Sequence, residues 1–269
     1  MMESLHALYL YCLARRSALA ALAGAGVDDE HSVDLVPFED VVAVVSVVRV
    51  NDFCGSSAEA RLRDIAWVGP RVCRHEAVVE RAMRRSPVVP VRFAVLFSSE
   101  ERLAMWLSTH RGAISQTLDR LTDHEEWAVK GALDRRRAEA RLLASAVEPR
   151  RDTGASSPGA RYFEERRMRA AVGRELSAWL GEVRPGIAAA LLDHAVEFRE
   201  RDVVTGASEE DGAPILNWAF LVKRSALGAF VERVQEINAE HAERGLVLRV
   251  SGPWPPYSFC PPLELGPSE

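Results

Sequence analysis

The run Val41-Val-Ala-Val-Val-Ser-Val-Val48 constrains the fold more than any other segment of the chain. It consists almost entirely of β-branched residues, which lose rotamer freedom in a helix and pack well on a pleated sheet. We therefore expect a buried central strand here, with residues 33–36 as its hairpin partner. Residues 5–13 are similarly compact and apolar, and they predict a second central strand.

Helical patterns follow these strands. From residue 57 apolar residues recur at helical spacing and form one expected face: Leu62, Ile65, Ala66, Val72, Val78, Val79 and Ala82. The Gly69-Pro70 pair predicts a kink or two helices. Residues 86–97 contain two internal prolines and predict an edge strand or a connector. Ser98 or Ser99 should cap a helix through residue 106, with another helix to residue 121. Residues 125–133 then predict a strand that completes a first α+β domain.

The second half of the chain predicts another α+β unit. Residues 161–195 have a helical pattern with a break near Pro185, and residues 214–222 have the pattern of a strand. Ser225 should cap a helix closed by Gly245, after which residues 246–250 return as a strand. We therefore predict an α+β fold with an N-terminal domain over residues 1–135, an arginine-rich helix and flexible loop over 136–160, and a C-terminal domain with a Pro-rich tail over 161–269.

Composition excludes several classes of protein. The 34 basic and 39 acidic residues leave a net charge of -5, so the chain has no global positive field for nucleic acid. Six arginines nevertheless concentrate between residues 134 and 151, where they predict a salt-bridged helix or contact with an acidic protein surface. Four scattered cysteines indicate a reduced, cytoplasmic protein without a zinc site or disulfide framework. No signal peptide or membrane span is expected.

No catalytic constellation is found in the sequence. It lacks the P-loop and the GxSxG elbow, and the stretch at residues 23–26 is a poor match to a dinucleotide loop. Cys73 and His75 lie two residues apart, which directs them to different faces of a helix. His75 and Glu76 are explained by a solvated helix face, and Glu125 and Glu126 should point to opposite sides of a strand. We therefore predict no enzymatic activity, no cofactor and no metal.

The most distinctive segment is Ser251-Gly-Pro-Trp-Pro-Pro-Tyr-Ser-Phe259. Its prolines restrict φ, so Trp254, Tyr257 and Phe259 should be presented on a stiff, extended stretch of chain. Two interpretations remain open: the segment folds back to fill a gap in its own domain, or part of it reaches a partner.

The chain resembles the gas vesicle accessory family that contains GvpF and GvpL. The resemblance rests on an ordered set of segments: Leu8-Tyr-Leu-Tyr11, the valine strand to Val48, His75-Glu76, Val89-Pro-Val-Arg-Phe-Ala94, Glu126-Trp-Ala-Val-Lys130, Arg161-Tyr-Phe-Glu-Glu-Arg-Arg167, Ala219-Phe-Leu-Val222 and the segment 251–259. Cys260 and Ala94 depart from it, since a valine-like and a glycine-like residue are expected there. The resemblance implies two α+β domains, of which the C-terminal one is ferredoxin-like with long helices in a coiled-coil-like hairpin.

The resemblance further implies a non-enzymatic assembly protein that binds the very hydrophobic gas vesicle shell protein and other accessory proteins, in the cytoplasm and at the vesicle. The candidate partner-binding residues are Trp254, Pro255, Tyr257, Phe259, Arg135, Arg136, Arg137 and Arg141. One alternative is a ferredoxin-like haem-binding oxidoreductase with His75 or His194 as axial ligand. Another is a nucleic-acid-binding regulator that uses residues 135–151.

Overall fold

A computed structural model of the chain describes residues 6–146, 158–203 and 212–264. The chain forms two compact units, the first from residues 1–125 and 254–269 and the second from residues 126–253. The second unit is therefore inserted into the sequence of the first. These limits differ from the predicted domains, because residues 126–133 belong to the second sheet and the tail belongs to the first unit. Residues 147–157 lie outside the described residues, and they include most of the predicted flexible loop. The last three residues of that loop, 158–160, are helical.

The first unit is built on an antiparallel sheet. Its strands are β1 (His6–Arg15), β2 (Val33–Phe38), β3 (Val41–Arg49), β4 (Val88–Pro90) and β5 (Leu96–Phe97). The order is β2-β3-β1-β4, and β5 also pairs with β1. The predicted hairpin and both predicted central strands are confirmed.

Helices cover both faces of this sheet. They are α1 (Val50–Phe53), α2 (Ser56–Arg63), α3 (Ile65–Met83) and α4 (Glu100–Leu121). Successive side chains of a strand point to opposite faces, and a register shift in β1 between Leu10 and Cys12 changes this alternation. Tyr9 and Tyr11 therefore share a core with α3, while Leu10 and Leu13 share one with α4. The first unit is therefore a sheet between two helical layers.

Two predicted helix limits are wrong. The break before α3 lies at Asp64, whose side chain accepts a hydrogen bond from the Ala66 amide, and the helix continues through Gly69 and Pro70. Pro70 is tolerated in the second turn, where it removes a single intrahelical hydrogen bond close to the helix start. The predicted pair of helices after Ser99 is one helix, α4, because Ser99 caps it and nothing interrupts its buried stripe.

The second unit contains β6 (His124–Leu133), α5 (Arg135–Ala146), α6 (Pro158–Leu192), β7 (Glu197–Glu200), β8 (Ala213–Lys223), α7 (Leu227–His241) and β9 (Leu246–Trp254). Its sheet has the order β7-β8-β6-β9. This is the β-α-β-β-α-β connectivity of a ferredoxin-like fold with one additional long helix, so the predicted fold class is confirmed.

Three local details of the second unit differ from the prediction. The helix α6 runs unbroken through Pro185. The helix α7 follows a 3-10 turn, Arg224–Ala226, and the Ser225 side chain does not cap it. The strand β7 was not predicted, since only Phe198 in its Glu-Phe-Arg-Glu sequence is apolar. Gly245 does follow the helical segment as expected, with a left-handed φ of 74°.

Candidate partner-binding site

The helix α3 exposes an apolar surface. Its buried residues, His75, Val78, Val79 and Ala82, lie on the side that faces the sheet. The six most exposed residues of α3 are apolar, whereas its charged residues are partly buried. We call this set the α3 face: Ile65, Ala66, Pro70, Val72, Cys73 and Ala77. Ile65 is 82% exposed. An exposed apolar surface of this kind marks a site of interaction with another molecule.

Other helices of the chain have ordinary solvent-facing sides. The exposed side of α4 carries charges such as Glu101, Arg111 and Asp119, and that of α7 carries Glu232 and Glu236. Solvent-facing helix surfaces are normally polar, because the free energy falls when apolar side chains are removed from water. The α3 face is therefore unusual within this same molecule.

The shape of the α3 face suits close packing. Ala66, Pro70, Cys73 and Ala77 follow one another at intervals of four, three and four residues, so they form one row along the helix. Small side chains in a row allow a second chain to approach the helix backbone closely. Ile65 and Val72 lie seven residues apart and form a ridge beside that row. The face therefore combines a shallow groove with an apolar edge.

The C-terminal residues 254–264, which we call the arm, fold back onto the first unit. Pro255 and Pro256 are buried, and Phe259 is 2% exposed. The indole Nε1 of Trp106 donates a 2.9 Å hydrogen bond to the carbonyl oxygen of Glu264. The arm thus folds back as one of the two open interpretations expected, but it fills a gap in the first unit and not in the predicted C-terminal domain. Trp254 and Tyr257 remain 43% and 36% exposed, so these two aromatic side chains of the arm reach the surface.

Tyr257 fixes the arm to α3. Its hydroxyl donates a 2.7 Å hydrogen bond to Glu76 Oε1 and lies 3.2 Å from His75 Nε2. His75 Nε2 also lies 3.2 Å from the Val91 carbonyl oxygen, which can only accept, so this nitrogen carries the proton. His75 Nδ1 then accepts from the Tyr9 hydroxyl at 2.9 Å. Burial lowers the pKa of His75 to about 4.

This geometry corrects two expectations about His75. The residue is 1% exposed and hydrogen-bonded through both ring nitrogens, so the segment is not a solvated helix face. A haem ligand needs an accessible ring nitrogen with a free lone pair. The only unprotonated nitrogen of His75 already accepts a hydrogen bond, and His75 is therefore unsuited to that role. Within the described residues, no helix is both long and apolar enough to cross a membrane.

The four predicted arginines belong to the second unit, whereas the arm belongs to the first. Arg135 and Arg141 form ion pairs with Glu139 at 3.1 Å and Glu243 at 3.2 Å. Arg137 borders a cavity of about 360 Å³, together with Asp134, Asn238, Gly245 and Val247. Arg136 is exposed. Two of the four arginines are therefore engaged within the protein.

The family model of gas vesicle synthesis protein GvpL/GvpF matches residues 7–261. The chain belongs to the GvpL/GvpF family. It is 27% identical over 228 residues to gas vesicle protein L of Streptomyces sp. (strain CB03234), which covers 82% of this chain and 80% of that protein. Gas vesicle protein F of the same strain is 30% identical over 185 residues, with 69% and 75% covered. Membership assigns the chain an accessory role in the gas vesicle.

Solved structures of this family agree with the fold. The crystal structure of gas vesicle protein GvpF from Anabaena sp. PCC7120 superposes with a TM-score of 0.68 at 19% identity, over 98% of each chain. The crystal structure of gas vesicle protein GvpF from Microcystis aeruginosa gives a TM-score of 0.63 at 19% identity, over 96% of this chain and 99% of that one. At this level of identity the likeness establishes the fold.

The sheet edges of this GvpL/GvpF chain are poorly suited to strand addition. The edge strand β2 contains Asp34 and Pro37, and β4 is three residues long and ends on Pro90. The strand β7 is four residues long and mostly charged. On β9, the Asn238 side chain accepts from the Leu248 amide at 2.7 Å and donates to the Leu248 carbonyl at 2.9 Å. Short, charged, proline-bearing or capped edges resist pairing with another chain.

The α3 face was missed in the sequence because the predicted apolar face joined residues from two sides of the helix. Its members Val78, Val79 and Ala82 are buried as expected. Ile65, Ala66 and Val72 were expected to be buried, and they are exposed. The available signal was a different one. Ala66, Pro70, Cys73 and Ala77 recur at helical spacing without a charge among them, which is unusual for the outward side of a helix.

Proposed function

We propose that this chain is a gas vesicle assembly factor that binds the shell protein and covers its apolar surface before incorporation. Family membership supports the accessory role. The observation that carries the binding proposal is the α3 face, on which every exposed side chain is apolar. Burial of this surface against another apolar surface lowers the free energy by roughly 25 cal/mol per Å² of buried area.

The need for such a factor follows from the chemistry of an apolar β-rich subunit. Free strand edges and apolar faces pair indiscriminately until they are covered. A factor that itself offered open strand edges would risk joining such aggregates. The closed edges of β2, β4, β7 and β9 support recognition through the α3 face rather than through strand addition.

The arm contributes to this surface in the proposal. Tyr257 is attached to Glu76, and Glu76 lies one helical turn after Val72 of the α3 face. Trp254 keeps 43% of its surface exposed in the same unit. Exposed aromatic residues are frequent energetic centres of protein interfaces. Trp254 and Tyr257 are therefore proposed as partner-binding residues, whereas the buried Pro255 and Phe259 position the arm.

In this proposal the chain acts by binding its partners and catalyses no reaction. It does so in the cytoplasm and at the growing vesicle. The other accessory proteins are proposed as further partners, and the proposed contact for one of them is formed by Arg135, Arg136, Arg137 and Arg141 of the second unit.

The binding proposal is tested by co-purification with the shell protein. Ile65→Glu combined with Val72→Glu places two charges on the α3 face, and we expect the recovered shell protein to fall several-fold. Met105→Glu is the matched control, because Met105 is another exposed apolar residue, 62% exposed, on the helix α4. Equal recovery with the α3 double variant and the wild type would refute the α3 face as the site.

Thiol protection gives an independent test. Cys73 lies on the α3 face and Cys54 is exposed in the same unit outside that helix. Bound shell protein should slow alkylation of Cys73 in a Cys54→Ser variant. It should leave alkylation of Cys54 in a Cys73→Ser variant much less affected. Alkylation of Cys73 at an unchanged rate in a complex that has formed would place the contact elsewhere.

A further inference from the structure

The first half of α6 carries a second exposed surface, in the other unit. The apolar stripe of this helix enters the core at Val172 and Leu176 and continues through Ile187 and Leu191. Before Val172 the helix no longer contributes buried side chains among the described residues. Each side chain that the structure describes between residues 162 and 171 is exposed. This part of the helix is therefore stabilised by its continuation into the core and leaves its own surface free for another molecule.

The outward side of this segment combines an aromatic ring with cations. Phe163, Arg167, Ala170 and Arg174 follow one another at i, i+4, i+7 and i+11, which places them on one side of the helix, opposite the buried stripe. We call these residues the α6 face. Phe163 is 65% exposed, more than any other aromatic residue in the described ranges.

The charges of the α6 face have no ion-pair partner among the described residues. Arg135 and Arg141 of the neighbouring helix have carboxylate partners. Arg167 and Arg174 form no ion pair with any residue of the segments that the structure describes. A guanidinium group recognises carboxylates through paired, charge-assisted hydrogen bonds. Two such groups beside an exposed ring match a surface that is acidic and partly apolar.

We propose that the α6 face binds an acidic segment of a partner protein, with carboxylates on Arg167 and Arg174 and an apolar side chain on Phe163. A lipid surface fits less well, because an interfacial helix must place its own apolar side in the bilayer and that side of α6 lies in the protein core. A nucleic acid also fits less well. Affinity for phosphate backbones grows with the number of cations, and single strands require several aromatic rings for stacking.

The α6 face is distinct from the proposed shell-binding surface in position and chemistry. The α3 face lies in the first unit and is apolar and uncharged, whereas the α6 face lies in the second unit and is cationic. The chain thus has two surfaces for two kinds of partner. This makes it an adaptor between an apolar subunit and an acidic protein.

The test uses the full chain and a fluorescein-labelled peptide composed of glutamate and leucine. Fluorescence anisotropy should show binding that weakens with added salt, and Arg167→Glu combined with Arg174→Glu should weaken it by about tenfold or more. Phe163→Ala should also weaken it. Lys223→Glu is the control, because it makes the charge change of each single arginine substitution at an exposed position outside α6.

Charge reversal provides the decisive comparison. A peptide with lysine in place of glutamate should bind the double glutamate variant more tightly than it binds the wild type. If circular dichroism shows that the double variant has lost helix, Arg167→Gln combined with Arg174→Gln replaces it, since this pair keeps long helix-forming side chains. Equal peptide affinity for variant and wild type would overturn the proposal. Tighter binding of single-stranded RNA, or of vesicles containing phosphatidylserine, would overturn it as well.

Discussion

The hydroxyl of Tyr257 donates a 2.7 Å hydrogen bond to the carboxylate of Glu76, although 181 positions separate the two residues in the chain. The second unit is inserted between them, so this bond forms only after the chain has returned to the first unit. Partial burial raises the pKa of Glu76, and the hydrogen bond from Tyr257 opposes that shift. The arm is thus attached to the helix that carries the proposed shell-binding surface.

Replacing Tyr257 with phenylalanine tests this attachment. The substitution removes the donor to Glu76 and leaves a half-buried carboxylate without that partner, which should lower the free energy of unfolding of the first unit by about 1–3 kcal/mol. Amide hydrogen exchange should accelerate in the arm and in the last turns of α3. Tyr162→Phe is the control, because Tyr162 is 61% exposed on α6. Unchanged exchange rates in the arm would show that Tyr257 does not hold it.

Two aromatic residues of the arm should separate stability from binding. Phe259 is 2% exposed, and Phe259→Ala should lower the free energy of unfolding by roughly 3–5 kcal/mol. Trp254 is 43% exposed, so Trp254→Ala should cost much less stability and should still reduce recovery of the shell protein. Denaturant unfolding and co-purification measure the two effects. A strongly destabilised Trp254→Ala protein would assign this residue to the core instead.

Truncation of the chain after Gly252 is a poor test of binding by the arm, because buried arm residues also stabilise the first unit. It removes Pro255, Pro256 and Phe259 from the interior together with the hydrogen bond between Trp106 and Glu264. We expect this shortened chain to be unstable, so a loss of binding would not identify the contact.

Strands with strong composition were the predictable part of this fold. The valine run fixes β3, and its hairpin with β2 follows from the adjacent apolar segment. Ser99 was identified as a helix cap because a hydroxyl followed by acidic residues at a helix start has a local physical meaning. The glycine-like expectation at residue 94 also has a structural basis, since Ala94 has a left-handed φ of 66°.

Long-range assembly was the part that local patterns could not predict. The sequence pattern of β6 fits a strand in either sheet. Only its pairing with β8 and β9 assigns it to the second unit. Periodicity alone grouped Ile65, Ala66 and Val72 of α3 with the residues 78, 79 and 82, and only the latter three are buried against the sheet. The burial of His75 depends on Tyr9, Val91 and Tyr257, which come from three distant parts of the chain.

The buried His75 predicts a pH dependence of stability. Burial lowers its pKa to about 4, whereas an unfolded histidine titrates near 6.5. Between these values the unfolded chain binds a proton that the folded chain does not, so stability falls as the pH falls from 6.5 toward 4. The loss between pH 7 and pH 5 should be about 2 kcal/mol.

Denaturant unfolding at both pH values, compared between wild type and His75→Gln, isolates this contribution. The raised pKa of Glu76 acts in the opposite direction, but it is present in both proteins. The pH-dependent loss should be smaller in His75→Gln and should persist in His6→Gln, which removes an exposed histidine. Identical losses in wild type and His75→Gln would mean that His75 is charged in the folded protein.

The amide of Asn238 should be essential for the closed edge of β9. It pairs with both the N–H and the C=O of Leu248, which is 3% exposed, and so takes the place of a further strand. Asn238→Ala leaves both groups without that partner and should lower the free energy of unfolding by about 2–4 kcal/mol. The opened edge should also promote association, because unpaired backbone groups accept another strand. Light scattering and exchange of the Leu248 amide measure these effects against Gln235→Ala, an exposed position on the same helix. A monomeric Asn238→Ala protein with an equally protected Leu248 amide would refute this role.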